Sequence, residues 1–523
     1  MSANAKNPIL EGFYPDPSIC AVGEDFYIVN SSFAYFPGLP VMHSKDLAHW
    51  EQIGNVLTRD SQLPLEDAGV SRGLFAPTIR YNEADGLFYV ICTNVSHGGN
   101  FVVTAKNPEG PWSEPHFIEG ADGIDPSLFF DEDGKCYYIG THPNPEGCQY
   151  DGDWYIYIRA FDTKNFQFIG EPVNVWNGAL KGVHWPEGPH LYHIGDYYYI
   201  LHAEGGTGPE HAVSVARSKN VFGPYENNFC NPIFTHRNLG QRYPVKYVGH
   251  GDMFQTMDGD WYMVMLAVRP YKGYTMMGRE TFLARVIFEN DWPVVNPGLG
   301  KLSEELIINL PEYETKEPAT SIPGTDKKYR FYEMKELGPE WMTLRNPDRD
   351  MYAFEEGKGL KLKCGSNNMT EDKPVSYLSI RQDTLKFAVK TTFYTDNLFM
   401  GARAGLCLMQ GSKNHVRFEL TDCKGSVIFV KDGKETRITE TLLNDSPLTV
   451  TFEVSGTKLS VFTGIRQNEE MLCQNIDISS LSTETAGGFV GCTMGIFATD
   501  GEDRTEPVYA TFKSFSYIRG QME

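Results

Sequence analysis

The chain has 523 residues, 41% of them hydrophobic and 22% charged, so it is too long for one ordinary domain and too apolar to be disordered. Its 68 acidic residues outnumber its 46 basic residues and give a net charge of −22, which excludes nucleic acid and anionic membrane surfaces as expected partners. No stretch approaches the roughly 18 apolar residues that a transmembrane helix needs.

The N-terminus, MSANAKNPIL, has neither the apolar core nor the cleavage site of a secretion signal. We therefore expect a cytoplasmic protein, unless a leader has been removed. The ten cysteines are scattered singly without a CxxC pair, which argues against a zinc ribbon or a thioredoxin-type site. Free thiols in a reducing compartment are the simpler interpretation.

The first 300 residues contain five copies of one pattern. In each copy an apolar run leads through a tight turn of glycine and acidic residues into an aromatic strand, as in Pro15–Ile19, Gly23–Asp25 and Phe26–Val29. The turn glycines are residues 23, 86, 134, 195 and 259, at spacings of 48 to 64 residues. Each turn joins two apolar runs, which is typical of a β-hairpin.

Repeats of this length hold about four short strands each and stack radially, so five copies predict a five-bladed β-propeller over residues 1–310. The alternative is a β-sandwich whose turns are alike by coincidence. In a propeller the first strand of every blade lines the axis. The repeat then places five residues at equivalent inner positions, three of them acids: Asp16, Ala76 (or Pro77), Asp125, Glu187 and His250.

Residues 311–326, PEYETKEPATSIPGTD, are rich in Pro, Thr and Glu and indicate a linker. Residues 327–523 alternate apolar and polar positions and predict a second, β-sandwich domain. Its clearest predicted strands are Gly359–Cys364, Tyr377–Gln382, Phe387–Tyr394, His415–Thr421, Ser426–Lys431, Leu448–Val454, Lys458–Thr463 and Val508–Arg519. The pattern leaves open whether this domain binds sugar, contacts another subunit or forms a wall of the active site.

Acids that face a pocket need a reason, because carboxylates are rarely buried. Glycoside hydrolysis supplies one: an acid protonates the leaving oxygen, and a carboxylate either attacks the anomeric carbon or activates a water. A third carboxylate close by could keep the acid protonated by like-charge repulsion. For each residue alone, an Asp-Pro turn cap is the simpler explanation, whereas the shared inner position of the trio favours function.

Six motifs, read in order, make the chain resemble glycoside hydrolase family 43. They are NPILEGFYPDPSIC, HSKDLAHWEQIG, GIDPSLFFDEDGKCYYIG, WPEGPHLY, AEGG and MGRETFLARV. The β-xylosidases and α-L-arabinofuranosidases with a C-terminal, concanavalin-like sandwich are the most similar branch, and LGPEWMTLRNP resembles the start of that sandwich. The resemblance covers nearly the whole chain and implies an all-β fold with a five-bladed propeller.

The resemblance implies inversion, with Asp16 as general base, Glu187 as general acid and Asp125 tuning and orienting Glu187. Arg279 in GRET would hold the sugar by charge-assisted hydrogen bonds, which suit a guanidinium. Inversion needs room for a water, so the carboxyl groups of Asp16 and Glu187 are predicted to lie roughly 6.5–9.5 Å apart.

Other pocket residues follow from the same resemblance. Phe33 and Phe75 are predicted pocket walls, although generic cores also use Phe, and relatives often carry Trp at the position of Phe75. Two further substrate contacts are expected at Ile124 and Thr207. A loop that brings an aromatic into the pocket in relatives matches GGFVGCTMGIFATD, with Thr493 expected at the aromatic's place.

His250 in GHGD is expected under the sugar, where family members hold a calcium ion or a water in the axial channel. A calcium contact at His250 and a plain hydrogen-bonded histidine are both left open, because calcium prefers oxygen ligands. No cofactor is expected to be required. A homo-oligomer is left open.

These observations predict an exo-acting, inverting hydrolase that releases terminal xylose or L-arabinofuranose from the non-reducing ends of oligosaccharides. One alternative is a carbohydrate-binding propeller without catalysis, against which the presence of all three acids argues. The other is a retaining five-bladed fructosidase. Fructosidases usually begin with an Asn-Asp-Pro-Asn type motif, whereas this chain has Tyr14-Pro15-Asp16-Pro17.

Overall fold

The computed structural model describes residues 2–311, 321–396, 398, 401–465, 468–500 and 506–520. Strands dominate, and the helices in this part of the chain are one 3₁₀ turn, Ser479–Leu481, and one short α-helix, Thr483–Ala486. Neither of these is long enough to cross a bilayer. The all-β prediction is confirmed.

Five antiparallel sheets of four strands form the blades of the propeller. Blade 1 contains Ser18–Val22, Asp25–Val29, Gly38–Ser44 and Glu51–Leu57; blade 2 contains Leu74–Asn82, Leu87–Asn94, Gly99–Ala105 and His116–Phe117; blade 3 contains Ile124–Phe130, Cys136–Pro143, Trp154–Asp162 and Gln167–Trp176; blade 4 contains Glu187–Ile194, Tyr197–Glu204, Ala212–Ser218 and Glu226–Asn227; blade 5 contains Lys246–Gln255, Trp261–Val268, Glu280–Glu289 and Trp292–Val295. The five predicted hairpins are the first two strands of each blade.

The blades close into a ring around one axis. The first strand of each blade contacts the first strands of its two neighbours, and the ring closes where the first strands of blades 5 and 1 meet. Outside the blades, Ser2–Lys6 pairs with Glu305–Pro311 and ties the two ends of the propeller segment together. Most of the predicted linker, residues 312–320, lies outside the described residues, and the domain limits at 310 and 327 stay a prediction.

The second domain is a sandwich of two sheets. One sheet has Tyr352–Glu355, Gly359–Lys363, Tyr509–Arg519, Lys386–Tyr394, Leu448–Ser455, Lys458–Ile465 and Asn468–Asp477 in spatial order, with Lys327–Tyr329 also paired to Tyr509–Arg519. The other has Lys434–Leu442, Lys424–Lys431, Asn414–Thr421, Arg403–Gly411, Thr493–Thr499, Tyr377–Arg381 and Met342–Leu344. All eight predicted strands are present, and the apolar faces of both sheets share one buried core.

The two domains are joined by a shared sheet and by buried arginines. Tyr35–Phe36 of the propeller pairs with Met342–Leu344 and so extends the second sheet of the sandwich. Arg381 of the sandwich donates from Nε to the carbonyl of Phe13 at 2.9 Å, and the backbone N–H of Arg345 donates to the carbonyl of Ala34 at 2.7 Å. The sandwich therefore contacts the chain just before Asp16, the first catalytic candidate, and again at Ala34, next to the predicted pocket wall Phe33.

Candidate active site

The acids and pocket residues predicted from the sequence come together in one cavity of about 370 Å³ at the axis of the propeller. All nine predicted site residues line it: Asp16, Phe33, Phe75, Ile124, Asp125, Glu187, Thr207, His250 and Arg279. The three acids are thus delivered by the first strands of blades 1, 3 and 4, or the turn that leads into one. None of them faces bulk solvent on the outer surface of the propeller.

In each blade, one residue at or near the start of the first strand has a left-handed backbone conformation. The φ angles lie between 31° and 55° at five equivalent positions: Asp16, Ala76, Asp125, Gly188 and His250. Glu187 is one residue earlier than this set. It pairs with Ala203, as Ile124 pairs with Thr141 in blade 3, and in both blades the ladder shifts register directly afterwards. The expectation that Glu187 shares the position of Asp16 and Asp125 is therefore wrong by one residue.

The acid of blade 4 lies one residue before the equivalent position for a steric reason. Gly188 has φ of 55°, and a Cβ on it would lie 2.6 Å from His250 Nε2, which is closer than real Cβ contacts. A side chain at Gly188 is thus excluded by the histidine of blade 5. Aspartate tolerates the left-handed region and glutamate much less, so Asp16 and Asp125 fit this position while Glu187 reaches the cavity from the residue before it.

Asp16 is held as a carboxylate. Arg279 donates from Nη1 to Oδ1 at 2.7 Å and from Nη2 to Oδ2 at 3.3 Å, and the Ser31 hydroxyl donates to Oδ2 at 2.7 Å. Burial alone would raise the pKa of Asp16, but Arg279, His250 and the Ser31 hydrogen bond together hold the pKa below its ordinary value. Arg279 therefore uses its Nη1 and Nη2 to bind Asp16, and its guanidinium does not point freely into the pocket.

The pKa values of Glu187 and Asp125 are raised, in contrast to that of Asp16. Burial and then the negative charges of Asp125 and Asp16 raise the pKa of Glu187 well above its usual value, which favours its protonated form. Burial also raises the pKa of Asp125 to about 6, although His250 and the backbone N–H of Gly188, which donates to Oδ2 at 3.2 Å, oppose the shift. Asp125 thus acts on Glu187 through charge and through the backbone of the next residue.

Three phenyl rings form one wall of the cavity, and one of them comes from the sandwich. Phe489 stacks on Phe33 with ring centroids 5.9 Å apart, and Phe75 lies edge-on to both rings. The guanidinium of Arg279 lies 5.7 Å from Phe33 and 5.4 Å from Phe489. The sandwich is therefore a wall of the site, the third of the roles that the sequence left open.

Phe489 also corrects the expectation for the loop GGFVGCTMGIFATD. The pocket aromatic is Phe489, in the first three residues of that segment, and not the position of Thr493. Thr493 is fully buried behind the wall, with its hydroxyl 3.3 Å from Tyr35 Oη and 3.1 Å from Tyr377 Oη. The loop thus does bring an aromatic side chain into the pocket, four residues earlier in the sequence than expected.

Ala76, which the repeat placed at an inner position, also lines the cavity, and sequence reasoning missed six lining residues: Arg72, Trp154, Trp185, Gly206, His211 and Phe489. Trp185 could have been found, since it lies in the same WPEGPH motif as Glu187. Its ring packs over Gly206, where a Cβ would lie 2.7 Å from the indole. His211 is buried and its Nδ1 lies 2.8 Å from the carbonyl of Tyr247, a contact that no short motif announces.

Among the described residues no cluster of three or more His, Cys, Asp or Glu side chains could hold a metal ion. The carboxylate within 4.0 Å of His250 in this part of the chain is Asp16, at 3.7 Å from Nδ1 to Oδ1. Both oxygens of Asp16 already accept hydrogen bonds from Arg279 and Ser31. The protein side chains around His250 therefore do not fit a calcium site, since calcium takes six to eight oxygen ligands.

Replacement of Phe489 by alanine is expected to raise KM about tenfold and to change kcat less. One aromatic wall contact is worth about 1.5 kcal/mol, which corresponds to about tenfold in affinity. Steady-state kinetics on a chromogenic pentoside would measure this, with Phe229→Ala as control, because Phe229 is 88% exposed and far from the cavity lining. An unchanged KM would remove Phe489 from the substrate wall.

Comparison with known proteins agrees with this geometry. Residues 5–293 match Glycosyl hydrolases family 43, and residues 328–518 match the Beta xylosidase C-terminal Concanavalin A-like domain. The chain is 47% identical to the Xylosidase/arabinosidase of Butyrivibrio fibrisolvens, over 98% of this chain and 99% of that protein. It is 36% identical to the Non-reducing end alpha-L-arabinofuranosidase BoGH43B of Bacteroides ovatus, over 98% of this chain and 94% of that protein.

Solved structures show the same two-domain arrangement. The Bacteroides ovatus protein titled Xyloglucan PUL GH43B superimposes with a TM-score of 0.89 at 34% identity, covering 98% of this chain and 99% of that one. A xylan beta-1,4-xylosidase from Bacillus halodurans C-125 superimposes with a TM-score of 0.89 at 29% identity, covering 98% of this chain and all of that one. The chain therefore belongs to glycosyl hydrolase family 43.

Proposed function

We propose that this protein is an exo-acting, inverting glycosidase that releases one terminal pentose, D-xylose or L-arabinofuranose, from the non-reducing end of an oligosaccharide. The observation that carries the proposal is the opposite titration of two acids in one cavity. The pKa of Asp16 is lowered and that of Glu187 is raised. The cavity thus pairs a carboxyl whose charged form is favoured with a carboxyl whose protonated form is favoured, the base and the acid that hydrolysis of a glycoside needs.

The chemistry balances with these two groups alone. Asp16 takes a proton from a water while the water oxygen attacks the anomeric carbon from the side opposite the leaving group. The glycosidic C–O bond breaks, and Glu187 gives its proton to the leaving oxygen. Asp16 ends protonated and Glu187 ionised, and exchange with solvent resets both.

Release of a single sugar is supported by the shape of the site. The cavity has a volume of about 370 Å³, and Phe33, Phe75 and Phe489 close one side of it, so a long chain could not pass through on that side. The relatives named above are a xylosidase/arabinosidase and a non-reducing end arabinofuranosidase. These names are used for enzymes that remove sugars from chain ends. The two pentoses share much of their hydroxyl layout, so one pocket could accept both.

The proposal is tested by assaying chromogenic β-xyloside and α-L-arabinofuranoside side by side and by following the first sugar released by NMR. Inversion predicts α-xylose as the first product from a β-xyloside, before mutarotation. β-Xylose as the first product would mean retention and would refute the water mechanism assigned to Asp16. Binding of the oligosaccharide without hydrolysis would favour the non-catalytic propeller instead.

A further inference from the structure

Beneath the cavity, the guanidinium of Arg80 lies where all five blades meet. From Nη1 it donates to Asp252 Oδ2 at 2.8 Å, Ile79 O at 2.8 Å, Ser18 Oγ at 3.2 Å and Ile19 O at 3.3 Å. From Nη2 it donates to Asp252 Oδ1 at 2.9 Å and to His190 Nδ1 at 3.0 Å. The polar end of the side chain is therefore surrounded by hydrogen-bond acceptors.

The acceptors around Arg80 are of the kind that bind a hard cation. They comprise both oxygens of a fully buried carboxylate, one hydroxyl and two backbone carbonyls, which together are typical calcium ligands. Asp252 also accepts from the Ser18 hydroxyl at 2.7 Å and the Tyr192 hydroxyl at 2.7 Å. An arginine thus occupies a cage of oxygens that could hold a metal ion if the arginine were absent.

The contact with His190 also excludes this histidine as a metal ligand. A guanidinium can only donate, so Nδ1 of His190 accepts and the ring proton lies on Nε2. A protonated nitrogen has no lone pair for a cation. Nε2 of His190 is buried and has no hydrogen-bond partner among the described residues, so it is a donor left without an acceptor there.

The cluster is connected to the catalytic residues through the strands. Ser18 follows Asp16 by two residues, Asp252 follows His250 by two, and His190 follows Glu187 by three. Ser127, two residues after Asp125, lies 3.2 Å from His190 Nδ1 through its hydroxyl. The Arg80–Asp252 pair therefore fixes the same strands that deliver the base, the acid and the residue that tunes the acid.

We propose that Arg80 is a built-in cation that takes the place of a divalent metal at the propeller axis, and that it is a positioning residue for Asp16 and Glu187. The assignment rests on the proposed hydrolytic function. It predicts an enzyme that needs no calcium, in contrast to the calcium contact that the family resemblance allowed at His250.

The first experiment uses the intact enzyme. After dialysis against a chelator, hydrolysis of the chromogenic pentoside and the thermal midpoint are expected to be unchanged, and added calcium is expected to change neither. Elemental analysis of the purified enzyme after dialysis against calcium should show well under one equivalent. Loss of activity on chelation, or one tightly bound calcium per chain, would overturn the proposal.

The second experiment removes the cation. Arg80→Met is expected to lower kcat about 10- to 100-fold, as loss of an outer-shell partner does in metal sites, with KM unchanged. Calcium or free guanidinium is expected to restore part of the activity of Arg80→Met, while Arg80→Lys retains more activity than Arg80→Met because the charge is kept. The control is Arg285→Met, an exposed arginine of blade 5 whose nearest acid is Asp260 at 3.5 Å.

Wild-type kcat in Arg80→Met, or a loss that neither cation reverses, would refute the role of Arg80 as a cation. If Arg80→Met does not fold, the chelation and elemental results on the intact enzyme decide. Failure of the proposed function itself would appear differently, as an intact enzyme that hydrolyses neither pentoside before any arginine is changed.

Discussion

Replacement of Glu187 by glutamine is expected to lower kcat on a natural disaccharide by about 10²- to 10⁴-fold, the range that general acid catalysis contributes. Glutamine keeps the shape of the side chain but has no proton to give to the leaving oxygen. With an activated aryl pentoside, whose leaving group needs little protonation, the loss should be much smaller. Steady-state kinetics on the two substrates, compared as a ratio, measure this difference.

The pH dependence of the same variant provides a second readout. The pKa of Glu187 is raised, so the protonated acid persists to higher pH than an ordinary glutamate, and the wild-type kcat/KM falls as pH rises through that pKa. Glu187→Gln should lose this alkaline limb with the activated substrate. Glu210→Gln is the matched control, because Glu210 is exposed at the surface and lies 3.9 Å from Arg237 in a surface ion pair. An unchanged profile in Glu187→Gln would assign the acid to another residue.

The sequence predicted that Glu187 lies in the same cavity as the other two acids, but not its exact position in blade 4. The repeats predicted five blades and brought all three acids to one cavity, because turn glycines and aromatic strands mark each hairpin. The sequence comparison of the repeats, however, placed the three acids at the same position of their blades. In the structure the equivalent positions are instead the residues before the prolines: Asp16-Pro17, Ala76-Pro77, Asp125-Pro126 and Gly188-Pro189. The left-handed residue before the proline recurs in these four blades, whereas an acidic side chain at that residue occurs in two of them.

The sandwich shows a different limit. Its alternating strands were predicted, but Arg403–Gly411 was missed because nearly all its residues are buried, and Lys434–Leu442 because nearly all are exposed at a sheet edge. Neither strand has an apolar–polar period to detect. Phe489 was missed for another reason: its role depends on how the sandwich packs on blades 1 and 2, and no local pattern encodes that contact between distant segments.

Asparagine at position 16 is expected to lower kcat by about 10²- to 10⁴-fold on every substrate, activated or not. The amide of Asn cannot accept a proton from the attacking water, and the attack needs this base whatever the leaving group is. The contrast with Glu187→Gln is therefore the informative result: an improved leaving group should rescue the acid variant and leave the base variant slow. The acid limb of the wild-type profile, set by the lowered pKa of Asp16, should also disappear.

Stability must be separated from chemistry in this variant, because Asp16 is the buried partner of Arg279. The asparagine oxygen can still accept one hydrogen bond from the guanidinium, but the buried charge of Arg279 loses the carboxylate paired with it, which is costly. Asp25→Asn in the same blade is the control, since it removes a half-buried carboxylate paired to His43 at 2.7 Å without touching the cavity. A folded Asp16→Asn protein that hydrolyses the activated pentoside at the wild-type rate would show that the water is activated elsewhere, and would overturn both the assignment of the base and the inverting mechanism built on it.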